Sequence, residues 1–153
     1  MRKFTRNFIL KLSGPPSSYC TCNKPCSDIE MDHVVPQKYL RENISDRKKL
    51  NDALNDPYNI YRCCSIKNRK KGHKLLSNDI AGDEFAGLMS RSYLYMNWRY
   101  KMKINKDLLA TLKCMDRLHS PFTYEKKRSE EIKEYNGQTN PFIYCYQETK
   151  DHY

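Results

Sequence analysis

Two β-compatible runs, Ile29 to Val35 and Tyr58 to Cys63, set what this chain can fold into. Pro36 stops the first run, because a proline cannot donate to a strand ladder. The segment Ser65 to Leu76 follows the second run directly and contains the start of a helix. A strand, a loop, a second strand and a helix are therefore expected in that order. The polar stretch between Gln37 and Asp56 accommodates a short helix around Asp46 to Leu54, closed by the turn Asn55-Asp56-Pro57. Beyond Asp83 apolar residues recur at helical spacing. Leu88, Met89, Tyr93, Met96 and Tyr100 mark one helix, and Leu108, Leu109, Leu112, Met115 and Leu118 a second that Asn105 can cap. Ser120 and Pro121 suit the cap and first turn of a third helix, ending near Asn136-Gly137. Helical periodicity assigns these stripes to core packing rather than to base stacking. The expected class is α+β, with a small strand-bearing core on a mainly α-helical scaffold.

At 153 residues the chain suits one domain with a real core, given roughly 100 to 200 residues per domain. The breaker-rich run Ser13-Gly14-Pro15-Pro16-Ser17-Ser18 sets off residues 1–19 as an N-terminal extension from a domain over 20–153. Lys and Arg number 28 against 18 Asp and Glu, a net charge of +10. Polyanions are the natural partners of such a surface, nucleic acid first among them, with DNA placed ahead of RNA. No stretch approaches the roughly 18 apolar residues of a membrane span, so no membrane partner is expected. No signal peptide is recognised either, which makes the expected location intracellular. Seven cysteines are an odd number without an export signal, so reduced thiols are expected. Cys114 and Cys145 lie in or beside apolar segments and are assigned to the core.

Four side chains stand in an order that metal-assisted phosphodiester hydrolysis can use. Asp32 and His33 lie near the end of the first strand run, Asn59 in the second, and Asn68 on the following helix. An imidazole with a pKa near 6.5 can take a proton from water at neutral pH, which gives His33 the role of general base. Asp32 and Asn68 supply oxygen ligands of the kind Mg²⁺ prefers, an ion that keeps several waters and needs few protein ligands. Asn59 can either accept from the His33 ring or pin the loop backbone, and residue types alone leave both open. Asp–His pairs are common and mostly structural. Here the pair has two asparagines downstream, a strand before it and the basic run Arg69-Lys70-Lys71-Gly72-His73-Lys74 beside Asn68. Arg69, Lys70, Lys71 and Lys74 are thus expected to contact phosphates, giving affinity without sequence preference. Lys126-Lys127-Arg128, flanked by Glu125, Glu130 and Glu131, reads as an exposed helix with intrahelical ion pairs.

At these residues the chain resembles His-Me finger endonucleases of the HNH and endonuclease I kind. Asp32-His33-Val34-Val35-Pro36 is similar to the family's acidic-His-Val-x-Pro element, and Asn59 with Asn68 to its paired asparagines. Segments 91–96, 99–100, 124–128 and 136–143 resemble endonuclease I, so the likeness spans roughly residues 20 to 145. The resemblance implies a ββα-metal core and a Mg²⁺-dependent endonuclease that leaves 5′-phosphate ends. His33 carries over as general base, Asp32 and Asn68 as metal ligands. The family's acidic residue is usually Glu, and Asp32 is one methylene shorter. An arginine holds the cleaved phosphate in the family, and Arg47 is its expected counterpart here. Many HNH proteins also carry a zinc staple. The cysteines Cys20, Cys22, Cys26, Cys63 and Cys64 flank the motif and offer a structural Zn²⁺ site of irregular spacing. The alternative expectation is a non-catalytic nucleic-acid-binding module with a degenerate nuclease site.

Overall fold

β1 (Ile29–His33) and β2 (Ile60–Cys64) pair antiparallel, with Glu30 opposite Cys63, Asp32 opposite Tyr61 and His33 opposite Ile60. They belong to a computed structural model that describes residues 3–15, 28–77 and 83–144. β1 stops two residues before the expected Val35, because Val34 and Val35 leave the ladder to bond Asn59. Val34 N–H donates to the Asn59 carbonyl at 2.9 Å, and Val35 N–H to Asn59 Oδ1 at 2.7 Å. α4 (Ser65–Lys71) leaves β2 without a loop and packs on both strands. The expected order of strand, loop, strand and helix is the order found.

Two helices fill the loop between the strands. α2 (Gln37–Asn43) has no counterpart in the sequence reading; it is short, lacks a side-chain cap and buries Leu40. α3 (Arg47–Leu54) lies where a helix is expected. Asp46 caps it by accepting from Lys49 N–H at 2.7 Å.

The C-terminal half is built around α5 (Ala86–Tyr100), whose residues from Ala86 to Met96 are all buried. α6 (Lys106–Leu118) packs along it, starting at an Asn105 cap as expected. Gly87 permits the approach of the α6 end, since a Cβ there would lie 2.6 Å from His119 Cβ. Leu108, Leu112 and Met115 are buried, but Leu118 and Cys114 are exposed. Both were assigned to the core on local pattern; the α6 stripe ends before Leu118, and Cys114 lies off it. α7 (Thr123–Asn136) starts two residues later than the Ser120-Pro121 signal. Glu125 is the reason, for its carboxylate reaches back to Phe122 N–H at 2.9 Å. Gly137, at φ +81°, ends the helix in the left-handed conformation that glycine adopts without strain. A final turn, α8 (Pro141–Tyr144), packs on α5 and α7.

The expectation of an ordinary exposed helix around Lys126 is corrected at two positions. Glu125 is fully buried and receives both Nε and Nη2 of Arg91 at 2.8 Å. Arg91 also reaches Asp116 at 3.2 Å and the His119 carbonyl at 2.6 Å, tying α5, α6 and α7 together. Arg128 is buried as well. Its guanidinium donates to the carbonyls of Pro57, Ile60 and Ser13, and lies 4.4 Å above the Tyr61 ring. Residues 3–15, expected as an extension, pack onto α7. They hold α1 (Arg6–Lys11), a Phe8–Tyr135 stack at 3.9 Å and a Ser13–Glu131 contact at 2.7 Å. No helix of the described residues is long and apolar enough to cross a membrane.

Candidate active site

Strand periodicity puts Glu30 and Asp32 on one face of β1 and His33 on the other. Because β1 ends at His33, both faces open onto one cavity of about 600 Å³. Asp32, His33, Gln37, Arg41, Asn68 and His73 are among its lining residues. The site therefore draws on β1, α2, α4 and the turn after α4.

His33 Nε2 lies 2.8 Å from the Leu54 carbonyl oxygen at the end of α3. A carbonyl only accepts, so Nε2 carries the proton and Nδ1 keeps the lone pair. Nδ1 in turn accepts from Gln37 Nε2 at 3.2 Å. Burial pushes the imidazole below its ordinary pKa of 6.5, and Lys71 and Arg41 push in the same direction. The Leu54 bond and the Asp32 charge oppose that shift without reversing it. A neutral imidazole with an oriented lone pair at neutral pH is what a general base requires.

Asn59 takes the second of its two expected roles. It is fully buried, and its amide both accepts from Val35 N–H and donates to the Val35 carbonyl, the latter at 3.1 Å. The bend just after His33 is thereby closed by one side chain. The turn that presents Asn59 is held from the helical half. Asn59 N–H donates to the Asp56 carbonyl at 3.0 Å. The buried Asp56 carboxylate accepts from Tyr58 N–H, Tyr95, Tyr100 and Gln138.

Asp32 is buried and paired with Lys71, whose Nζ is 2.6 Å from Oδ2 and also donates to the His33 carbonyl. Asn68 Nδ2 donates to Glu30 Oε2 at 3.0 Å. A carboxylate cannot donate, so this bond fixes the amide with its Oδ1 at the opposite end. Glu30 also meets Arg69 at 3.4 Å. Arg69, Lys70 and Lys74 are exposed around the cavity-bearing helix.

Among the described residues no group of three or more His, Cys, Asp or Glu side chains is arranged to hold a metal. Among the oxygen donors of the cavity wall, Asp32 and Asn68 are a carboxylate and a carboxamide, both hard donors. Mg²⁺ accepts such a set with water completing its octahedron. That a lysine ammonium already lies against Asp32 marks the position as one suited to positive charge.

Arg47 and the cysteines fall differently from expectation. Arg47 is the exposed first residue of α3 and does not line the cavity; Arg41 of α2 does. Local sequence favours neither arginine, and α2 decides between them. Cys20, Cys22 and Cys26 lie outside the described residues, as does Cys145. Cys63 is a buried thiol donating to the Cys64 carbonyl at 3.5 Å, and Cys64 is disulfide-bonded, contrary to the expectation of reduced thiols. Sequence reasoning also passed over Glu30, Gln37 and Arg41. Glu30 was legible as the residue two before Asp32 on a strand. Gln37 and Arg41 needed α2, on which they are one turn apart and joined by a 3.4 Å hydrogen bond. No protein-family model matches this chain, and no curated protein does.

Proposed function

We propose that this protein is a Mg²⁺-dependent endonuclease that hydrolyses phosphodiester bonds in nucleic acid, DNA ahead of RNA, leaving 5′-phosphate ends. One observation carries the reading. His33 has its Nε2 proton committed to Leu54 and its Nδ1 lone pair at the wall of a cavity shared with Asp32 and Asn68. The motif resemblance to His-Me finger nucleases supports the same assignment.

In the proposed reaction, His33 Nδ1 takes a proton from a water whose oxygen attacks phosphorus. The P–O3′ bond breaks, the departing 3′ oxygen takes a proton from solvent, and the phosphate stays on the 5′ side; His33 later returns its proton to solvent. Gln37 yields its place on Nδ1 to that water and holds the ring plane beforehand. Asn59 fixes the bend that aims His33. Asp32 and Asn68 Oδ1 would hold the cation, which when bound would neutralise charge on the phosphorane-like transition state. Arg41 is placed to bind a phosphate oxygen, and exposed Arg69, Lys70 and Lys74 to neutralise neighbouring phosphates. Each of these roles rests on position and residue chemistry.

A second reading has its own support. Asp32 is already neutralised by Lys71, which is what a nucleic-acid-binding module with a closed metal site would present. Supercoiled plasmid and single-stranded RNA, each with Mg²⁺ or EDTA, separate the two. The nuclease reading expects Mg²⁺-dependent cleavage that falls about 10²- to 10⁴-fold in His33→Ala, the usual range for a general base. Salt-sensitive binding without cleavage, equal in wild type and variant, would leave the binding module as the function.

A further inference from the structure

We propose that Lys71 is a built-in cation that closes the metal site until nucleic acid draws it away, so that metal loads with substrate rather than before it. The inference rests on the nuclease reading and adds regulation to the same site. Lys71 is the last residue of α4, three after Asn68, and Gly72 turns the chain at once with φ +55°. Its side chain is 21% exposed and that of Asp32 only 8%, so the pair is largely screened from water. The ammonium bridges Asp32 Oδ2 and the His33 carbonyl, and thus spans the proposed ligand and the proposed base.

A Mg²⁺ or Mn²⁺ ion bound to an Asp32 oxygen at about 2.1 Å lies no farther than about 5 Å from an ammonium hydrogen-bonded to that same oxygen. Two such cations repel strongly in a partly buried site, so one excludes the other. Lysine has the means to leave, being a compact charge on a flexible four-carbon stem. A phosphate held near Arg41 offers it an anionic partner equivalent to Asp32. When Lys71 moves to phosphate, its positive charge leaves Asp32 Oδ2 and the metal can take that place. Nucleic acid should therefore tighten metal binding, and by linkage the metal should tighten nucleic-acid binding by the same factor. The exposed Arg69–Glu30 pair is no such device, since Glu30 already holds Asn68.

Mn²⁺ binding, read from the electron paramagnetic resonance of the unbound ion, tests this without cleavage. The full chain is used in a His33→Ala background, which keeps the backbone carbonyl that Lys71 contacts. Titrations run with and without a short DNA duplex, whose own Mn²⁺ uptake is subtracted. We expect the duplex to tighten Mn²⁺ binding at least tenfold. Adding Lys71→Met should tighten it at least tenfold without duplex, and reduce the duplex effect below threefold. Lys71→Gln, which keeps a donor without the charge, should behave like Lys71→Met; circular dichroism checks that both fold. If the Lys71 variants bind Mn²⁺ as their parent does while Asp32→Ala abolishes binding, the metal site stands and the gate falls. Tighter binding with an undiminished duplex effect also overturns the gate. Mn²⁺ binding by none of the proteins, the Lys71 variants included, overturns the nuclease reading itself.

Discussion

The helical half and the strand-bearing core use the same ingredients, a basic side chain against carboxylates, to opposite ends. Arg91 is 1% exposed, with Glu125 and Asp116 at 0%, and its guanidinium makes four hydrogen bonds to two carboxylates and a carbonyl. Asp32 lines a cavity, and Lys71 beside it is 21% exposed. A charge cluster closed on every side is structure, because removing one member strands the others in a medium of low dielectric. A charge pair left open on one side can exchange partners. The two regions also differ in what holds them. α5 is buried from Ala86 to Met96, whereas α4 buries Ser65 and leaves Arg69 and Lys70 outward.

The sharpest break of this comparison is Arg91→Met. Two buried carboxylates lose their partner, and the expected cost is about 3–5 kcal/mol of unfolding free energy in denaturant titration. Lys71→Met under the same measurement should cost less, about 1–3 kcal/mol, because one carboxylate loses a partner rather than two. Equal losses in the two variants would erase the distinction drawn here.

Asn59→Ala comes next. It leaves the buried Val35 N–H and C=O without their partner, at a cost of about 1–3 kcal/mol. Because Asn59 closes the bend after His33, cleavage should fall by more than the loss of folded protein accounts for. Activity per folded molecule equal to wild type would reduce Asn59 to a stabilising residue.

Glu30→Ala should be milder for the fold and visible in metal binding. Without the Glu30 acceptor the Asn68 amide can turn, and a loss of about 10- to 100-fold in Mn²⁺ affinity is typical when a ligand's supporting hydrogen bond is removed. Unchanged affinity would show that Asn68 needs no such support, or is no ligand.

The smallest effect is on pH dependence. Burial holds His33 below 6.5, so the base is already neutral at pH 7, and the rate should be flat there and fall only as pH drops through a value below 6.5. The same depressed pKa makes His33 favour the fold above 6.5 and oppose it as pH falls, since the unfolded chain then binds the extra proton. Arg41→Gln removes a charge that depresses the pKa, and should move the acid limb upward. A limb centred above 6.5 in wild type would contradict His33 as the base.

How much could be read beforehand follows sequence distance. β1, β2 and α4 are marked by runs of strand residues, by Pro36 and by the start of a helical pattern, and all three are found close to where those signals lie. Asp32, His33 and Asn68 meet at one cavity because the ββα order alone brings them there. The role of Asn59 was narrowed to two and settled only by the hydrogen bonds to Val35. Arg41 is hidden in the sequence because α2 is short and weakly signalled, and Arg47 was named in its place. Glu125 and Arg128 looked like surface charges in a charged helix. Only the packing of α7 against α5 and the 57–60 segment shows them buried.

By itself the sequence determined what local chemistry can carry: hydrophobic period, caps and breakers, a basic surface, and a short ordered set of groups suited to hydrolysis. Tertiary structure alone decided which charges are sealed and which are available. A side chain's hydration depends on every element packed over it, and no window of neighbouring residues contains that information. That is why Arg91 and Lys71, indistinguishable as basic residues on helices, end as a buried clasp and a part-exposed cation beside a residue that lines a cavity.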